Sequence, residues 1–120
     1  GKSTRFEGAF NPATHQIELN HYAYAFPYDG DIERKGSVRV EVFVKNERFQ
    51  LAPWQAGAAG VPCTVADIVL RGPFFEYILE TETGERIIAV KPKTADPAPI
   101  GTRLSLSWDP AQAHVFATGR

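Results

Sequence analysis

The sequence predicts an all-β protein of about nine or ten short strands with little helix. Two observations carry that prediction. Apolar residues recur at every second position in one segment after another, and Gly-, Pro- and Asp-containing turns punctuate those segments. No segment shows the sustained spacing of a long helix.

Taken in order, residues 16–19 form a first short run of β-formers. In His21-Tyr22-Ala23-Tyr24-Ala25-Phe26 the aromatics occupy alternate positions and so one face of a strand. Asp29-Gly30 and Lys35-Gly36 read as turns. Val38, Val40, Val42 and Val44 then alternate with Arg39, Glu41 and Phe43, and a short run follows at 48–51. Residues 51–62 are small or structure-breaking and form a connector. Runs at 63–70, 74–81 and 86–90 are separated by Arg71-Gly72-Pro73 and Thr83-Gly84. Three prolines make 91–99 an exposed loop. Leu104, Leu106 and Trp108 alternate with Arg103, Ser105 and Ser107. Residues 110–114 suit a short helical turn, with Asp109 as N-cap and Pro110 first.

The chain divides into a half at 1–52, a connector at 53–62 and a half at 63–120, expected to pack as one unit. Gly36-Ser37 and the alternating valines match Gly101-Thr102 and the Leu-Leu-Trp alternation, with a slip of one residue. Each leads through a polar turn, Lys45-Asn46-Glu47 or Asp109-Pro110-Ala111, into a short apolar strand. A degenerate repeat of this length is too long for a solenoid and suits paired small barrels.

Composition narrows the function. The 43% apolar and 22% charged content of the 120 residues fits a globular chain with an ordinary core. Thirteen basic and fourteen acidic residues, a formal charge of −1, supply no field for nucleic acid or an anionic membrane. A single cysteine, Cys63, excludes an internal disulfide framework and fits a reducing compartment. No apolar run approaches the ~20 residues needed to cross a bilayer, and no secretory leader is expected.

Motifs for catalysis are weak. Gly1-Lys2-Ser3-Thr4 has the letters of a phosphate-loop tail without the upstream strand and glycine. Asp29, Asp31 and Glu33 open like a calcium loop, but Arg34 and Val40 stand where its glycine and bidentate acid belong. His15, His21 and His114 share no metal-ligand spacing, so no metal site is expected. Ser105, Ser107 and Cys63 lack a nucleophile context, and no catalytic residue is expected. The stripe Tyr22, Tyr24, Phe26 reads as core or as packing between lobes rather than a base-stacking face.

One stretch carries a family resemblance. Val65 to Gly72, Phe75-Glu76-Tyr77-Ile78-Leu79 and Thr83-Gly84 lead to Pro99-Ile100-Gly101-Thr102-Arg103-Leu104-Ser105-Leu106-Ser107-Trp108, then Asp109-Pro110 and His114-Val115-Phe116. This resembles the C-terminal TOBE segment of ATP-binding subunits of bacterial ABC importers. The first half is similar to the segment that precedes it. Where that family carries an Arg-Pro-Glu triplet, Lys45-Asn46-Glu47 keeps the glutamate.

The resemblance implies an OB-like barrel pair and a non-catalytic regulatory or dimerisation domain, cytoplasmic and held at the inner membrane through the transporter. ATP and magnesium would belong to the parent ATPase, leaving no cofactor in this chain. Partners would be a second copy of the ATP-binding subunit and, through the ATPase domain, the membrane subunits. Polyamine, ferric iron, sulfate, phosphonate and sugar are all open as the transported solute. Glu47, and after it Arg48, carry over as partner- or ligand-binding residues. The alternative is a free-standing module for an oxyanion such as molybdate, using backbone amides near Arg71-Gly72 or Gly101-Thr102-Arg103. A third reading, an OB-type nucleic-acid binder, is disfavoured by charge.

Overall fold

The computed structural model describes residues 2–30, 32 and 36–118. Gly1, Asp31, Glu33, Arg34 and Lys35, which bear on the phosphate-loop letters, the calcium-like run and one turn, lie outside the described residues. The chain is all-β. Its strands are β1 (Ser3–Asn11), β2 (Gln16–Leu19), β3 (Ala25–Pro27), β4 (Val38–Lys45), β5 (Gln50–Pro53), β6 (Val61–Arg71), β7 (Phe74–Thr81), β8 (Arg86–Pro92), β9 (Arg103–Ser107) and β10 (His114–Ala117). Two 3-10 turns, Asn46–Arg48 and Pro110–Gln112, are the helical elements among the described residues. In the second, the Asp109 carboxylate accepts from the Ala111 amide and Pro110 stands in the first turn, as its sequence predicts.

Two corrections concern the first half. The nine-residue β1 falls on no predicted run; Phe6, Gly8 and Phe10 are its buried positions, and the glycine interrupts the apolar alternation. The aromatic run 21–26 is mostly a turn, and only its last two residues enter β3. The Leu19 amide donates to the Tyr24 carbonyl (3.0 Å) and the Tyr24 amide to the Tyr22 carbonyl (2.8 Å). That tight bend still turns Tyr22, Tyr24 and Phe26 inward, so the packing reading of the stripe stands.

Two five-stranded antiparallel sheets result, β10-β4-β1-β2-β3 and β5-β9-β6-β7-β8. Position by position they are the same sheet. The turn after β2, closed by Leu19 and Tyr24, recurs after β7, where the Thr81 amide donates to the Glu85 carbonyl (2.9 Å). Val42 pairs with Val115 in one sheet as Leu106 pairs with Leu51 in the other. The repeat therefore runs β1–β5 and β6–β10, and each fifth strand pairs in the other sheet. The 3-10 turns carry the chain across: β5 leaves the first half to edge β9, and β10 returns to edge β4. Strand membership thus crosses the 53–62 connector in both directions.

One contiguous core serves both sheets. Trp108, just past β9, lies tilted against Phe6 at 4.9 Å and meets Tyr24, Phe26 and Phe49 edge-on at 5.0, 5.4 and 6.0 Å. These four aromatic partners converge from β1, the β2–β3 bend, β3 and the segment entering β5. The Tyr22 hydroxyl joins the lobes by a polar route, bonding Thr81 (2.9 Å), Thr83 (3.0 Å) and Glu85 (2.8 Å).

Candidate functional site

The 3-10 turn Asn46–Arg48 lies against β8, and an open groove of about 820 Å³ runs between them. Lys2 and Asn46 enter it from the first lobe; Arg71, Phe74, Glu76 and Ile88 enter from the second. Asn46 is the anchored member. Its amide donates to the Lys2 carbonyl (2.9 Å) and its side-chain oxygen accepts from the Thr4 hydroxyl (2.9 Å), which leaves the side-chain NH₂ as the free donor. The alternation of β7 and β8 turns Phe74, Glu76 and Ile88 outward to the groove while Phe75, Tyr77, Ile87 and Ala89 face the core.

Charge in the groove is balanced. Arg71 Nε meets Glu76 Oε1 at 2.9 Å, a pair exposed enough to contribute only tenths of a kcal/mol and to open readily. Lys2 and Glu47 are both exposed. An anion placed here would meet the Lys2 ammonium, the side-chain NH₂ of Asn46 and a guanidinium released from Glu76, with Glu47 as the opposing carboxylate. Such a site selects on geometry rather than net charge.

Sequence-predicted residues fall as follows. Glu47 lines the groove, and Arg48, also exposed, does not. Arg71, which the sequence offered for the backbone amides of its turn, joins Glu47 there, its guanidinium paired with Glu76. Gly101 and Thr102 belong to no anion site, because their amides are spent on the Val65 carbonyl (2.8 Å) and the Pro99 carbonyl (3.0 Å). The Arg103 guanidinium lies 4.3 Å over the Trp54 ring. Ser105 is buried and its hydroxyl donates to the Ala59 carbonyl at 3.3 Å. His15, His21 and His114 are exposed and scattered, and no group of three metal-ligating side chains gathers among the described residues. Sequence reasoning met Lys2 only in the rejected phosphate-loop letters and Asn46 only in the Lys45-Asn46-Glu47 turn, and gave neither a binding role, since no periodic signal marks a lone lysine or asparagine.

Cys63 is buried beside the Leu104 carbonyl (Sγ to O, 3.6 Å), and burial pushes its thiol up to about 11 from 9.0. Two results follow. A disulfide reagent at pH 8 should modify Cys63 only as fast as the protein unfolds, which a denaturant series reads directly. The raised value also means the folded state holds this proton more tightly. Its contribution to stability is complete below pH 9 and disappears as pH rises toward about 11. Urea midpoints across that window should fall, with Tyr22 and Tyr24, whose hydroxyls burial also pushes up, adding in the same direction. Cys63→Ala should flatten part of the slope.

Comparison with known proteins adds two likenesses. Residues 42–116, from β4 to β10, match the TOBE domain. The fold superposes on the solved structure of the cytoplasmic molybdate-binding protein ModG in a form with molybdate bound. The TM-score is 0.69 at 15% identity, over 93% of this chain and 94% of that one. No curated protein matches the sequence. No helix among the described residues is long and apolar enough to cross a membrane.

Proposed function

The chain belongs to the TOBE domain family, and from that premise we propose that it is a non-catalytic binding module for a small tetrahedral oxyanion of the molybdate kind. A shared fold does not by itself transfer a ligand; the site must supply the reason. The observation that carries the reading is the groove itself, where Lys2 and the Asn46 amide from one lobe face Arg71 from the other. An oxyanion accepts hydrogen bonds on all sides and bridges such donors. Bound there, it would tie the 3-10 turn to β7 and β8. That is a route from ligand to the relative stability of two arrangements of the lobes, which is all that regulation requires. The ModG likeness over nearly the full length supports the ligand class.

The test is a thermal-shift series with molybdate, tungstate and sulfate against chloride at matched ionic strength. Molybdate should raise Tm saturably, by the equivalent of about 2.7 kcal/mol at a hundredfold excess over Kd. Arg71→Ala and Lys2→Ala should each abolish most of that rise. A Tm that no oxyanion moves, or that moves equally in both variants, overturns the reading.

A second reading retains the importer context: a regulatory and dimerisation domain of an ATP-binding subunit, with Glu47 and Arg48 at the contact between copies. The family match over 42–116 and the exposure of both residues support it. Dimerisation in sedimentation runs, with no oxyanion response, would favour it over the first.

A further inference from the structure

The two edges of the second sheet, β5 and β8, share no backbone ladder, yet both line a single cavity of about 460 Å³. The sheet therefore curls until its edges approach and stops short of closing. Between them lies an open cleft, a seam flanked by Leu51 and the exposed Pro53 on one edge and floored by Phe75, Tyr77 and Leu104. These surfaces are apolar and aromatic. The volume lies within the ordinary range for small-molecule sites, about 300–1,000 Å³.

Lys91 stands at this seam in an unusual place. Along β8 the core-facing phase is Ile87, Ala89, Lys91, and Lys91 pairs directly with the buried Phe75. A lysine thus occupies a barrel-interior position. It is half-buried, and among the described residues it makes no ion pair; Asp96, on the same wall, lies beyond 4 Å of its ammonium. Desolvation alone pushes its ammonium down, with no carboxylate opposing it. Beside it, on the same face and one position removed across the β7–β8 ladder, the Tyr77 hydroxyl accepts from the Ala98 amide at 3.0 Å. That bond uses the oxygen and leaves the hydroxyl proton to donate.

We propose that this seam binds a small organic monocarboxylate with an apolar body, the carboxylate taken by Lys91 and Tyr77 and the body by Phe75, Leu51, Pro53 and Leu104. The argument is complementarity. An unpaired, partly desolvated cation is costly, and a carboxylate relieves that cost while the apolar walls exclude a bare, strongly hydrated ion. The seam shares no lining residue with the oxyanion groove, so either site can fail without the other.

The test is an amide NMR titration of the whole chain with benzoate, and with benzamide as its neutral isostere. Benzoate should produce saturable shifts at Lys91, Tyr77, Ala98 and Leu51. Benzamide should bind at least about tenfold more weakly, the loss expected for one charge-assisted contact. Lys91→Met should weaken benzoate by about the same factor, and its dispersed spectrum would show that it folds. The benzamide comparison needs no variant and stands if that one does not fold. Molybdate should leave benzoate affinity unchanged. Equal binding of benzamide, undiminished binding by folded Lys91→Met, displacement by molybdate, or no saturable shift at the seam up to about 10 mM would each overturn the proposal.

Discussion

Trp108→Ala should cost about 3–5 kcal/mol, enough to unfold much of a domain of this size under ordinary conditions. The indole is 2% exposed and leaves the end of β9, a strand of the second sheet, to fill the aromatic cluster of the first. Truncation removes more than transfer free energy. Phe6, Tyr24, Phe26 and Phe49 are each held by their own backbone, so they cannot close the space together, and the cavity persists. Trp108→Phe should be much milder. The indole Nε1 is buried without a hydrogen-bond partner, so phenylalanine discards an unsatisfied donor along with part of the volume. Urea melts followed by far-UV circular dichroism separate the two. A Trp108→Ala midpoint within about 1 kcal/mol of the parent would mean that the lobes do not depend on this ring.

Gly8→Ala should cost about 1–3 kcal/mol, from a methyl group of the kind most strands accept without effect. A β-carbon at Gly8 would sit 2.6 Å from the Glu18 carbonyl oxygen and 3.3 Å from an Ile17 methyl. The first is a backbone atom in the strand that pairs with β1, where Gly8 opposes Leu19 and Ala9 opposes Glu18. It cannot rotate away as a side-chain tip can, so the β1–β2 ladder must spread. Amide hydrogen exchange is the sharper readout. Protection should fall first at residues 8–11 and 16–19, with β6 and β7 following only to the extent that global stability falls. Unchanged protection in the β1–β2 ladder would remove the steric account.

Strand periodicity made most of the fold legible. The valines of β4 and the Leu-Leu-Trp series of β9 keep period two because each strand has a fully buried face, and those are the strands on which the repeat could be seen. Where burial is purchased differently, the signal is lost. In β1 a glycine replaces the central apolar residue because β2 passes too close. In 21–26 the aromatics alternate in letters, but a bend rather than a strand turns them inward. The groove was legible only in part. Glu47 and Arg71 each stood in a recognisable turn, but their meeting depends on the 3-10 turns that carry β5 and β10 across, a long-range fact with no local pattern. Lys91 fell in what read as a proline-rich loop; β8 runs on through it to Pro92.

The exchange of fifth strands also sets an order of events during synthesis. β5 emerges from the ribosome before β9, its ladder partner, and β4 must wait for β10, the last strand described. Until β10 emerges the nascent chain therefore presents an unpaired edge on β4, and the first sheet is complete only then, whereas the second needs nothing beyond β9. Pairing β10 with β4 closes a loop that spans most of the second repeat, the slow, non-local kind of contact that exposes a growing polypeptide to mispairing with a neighbour.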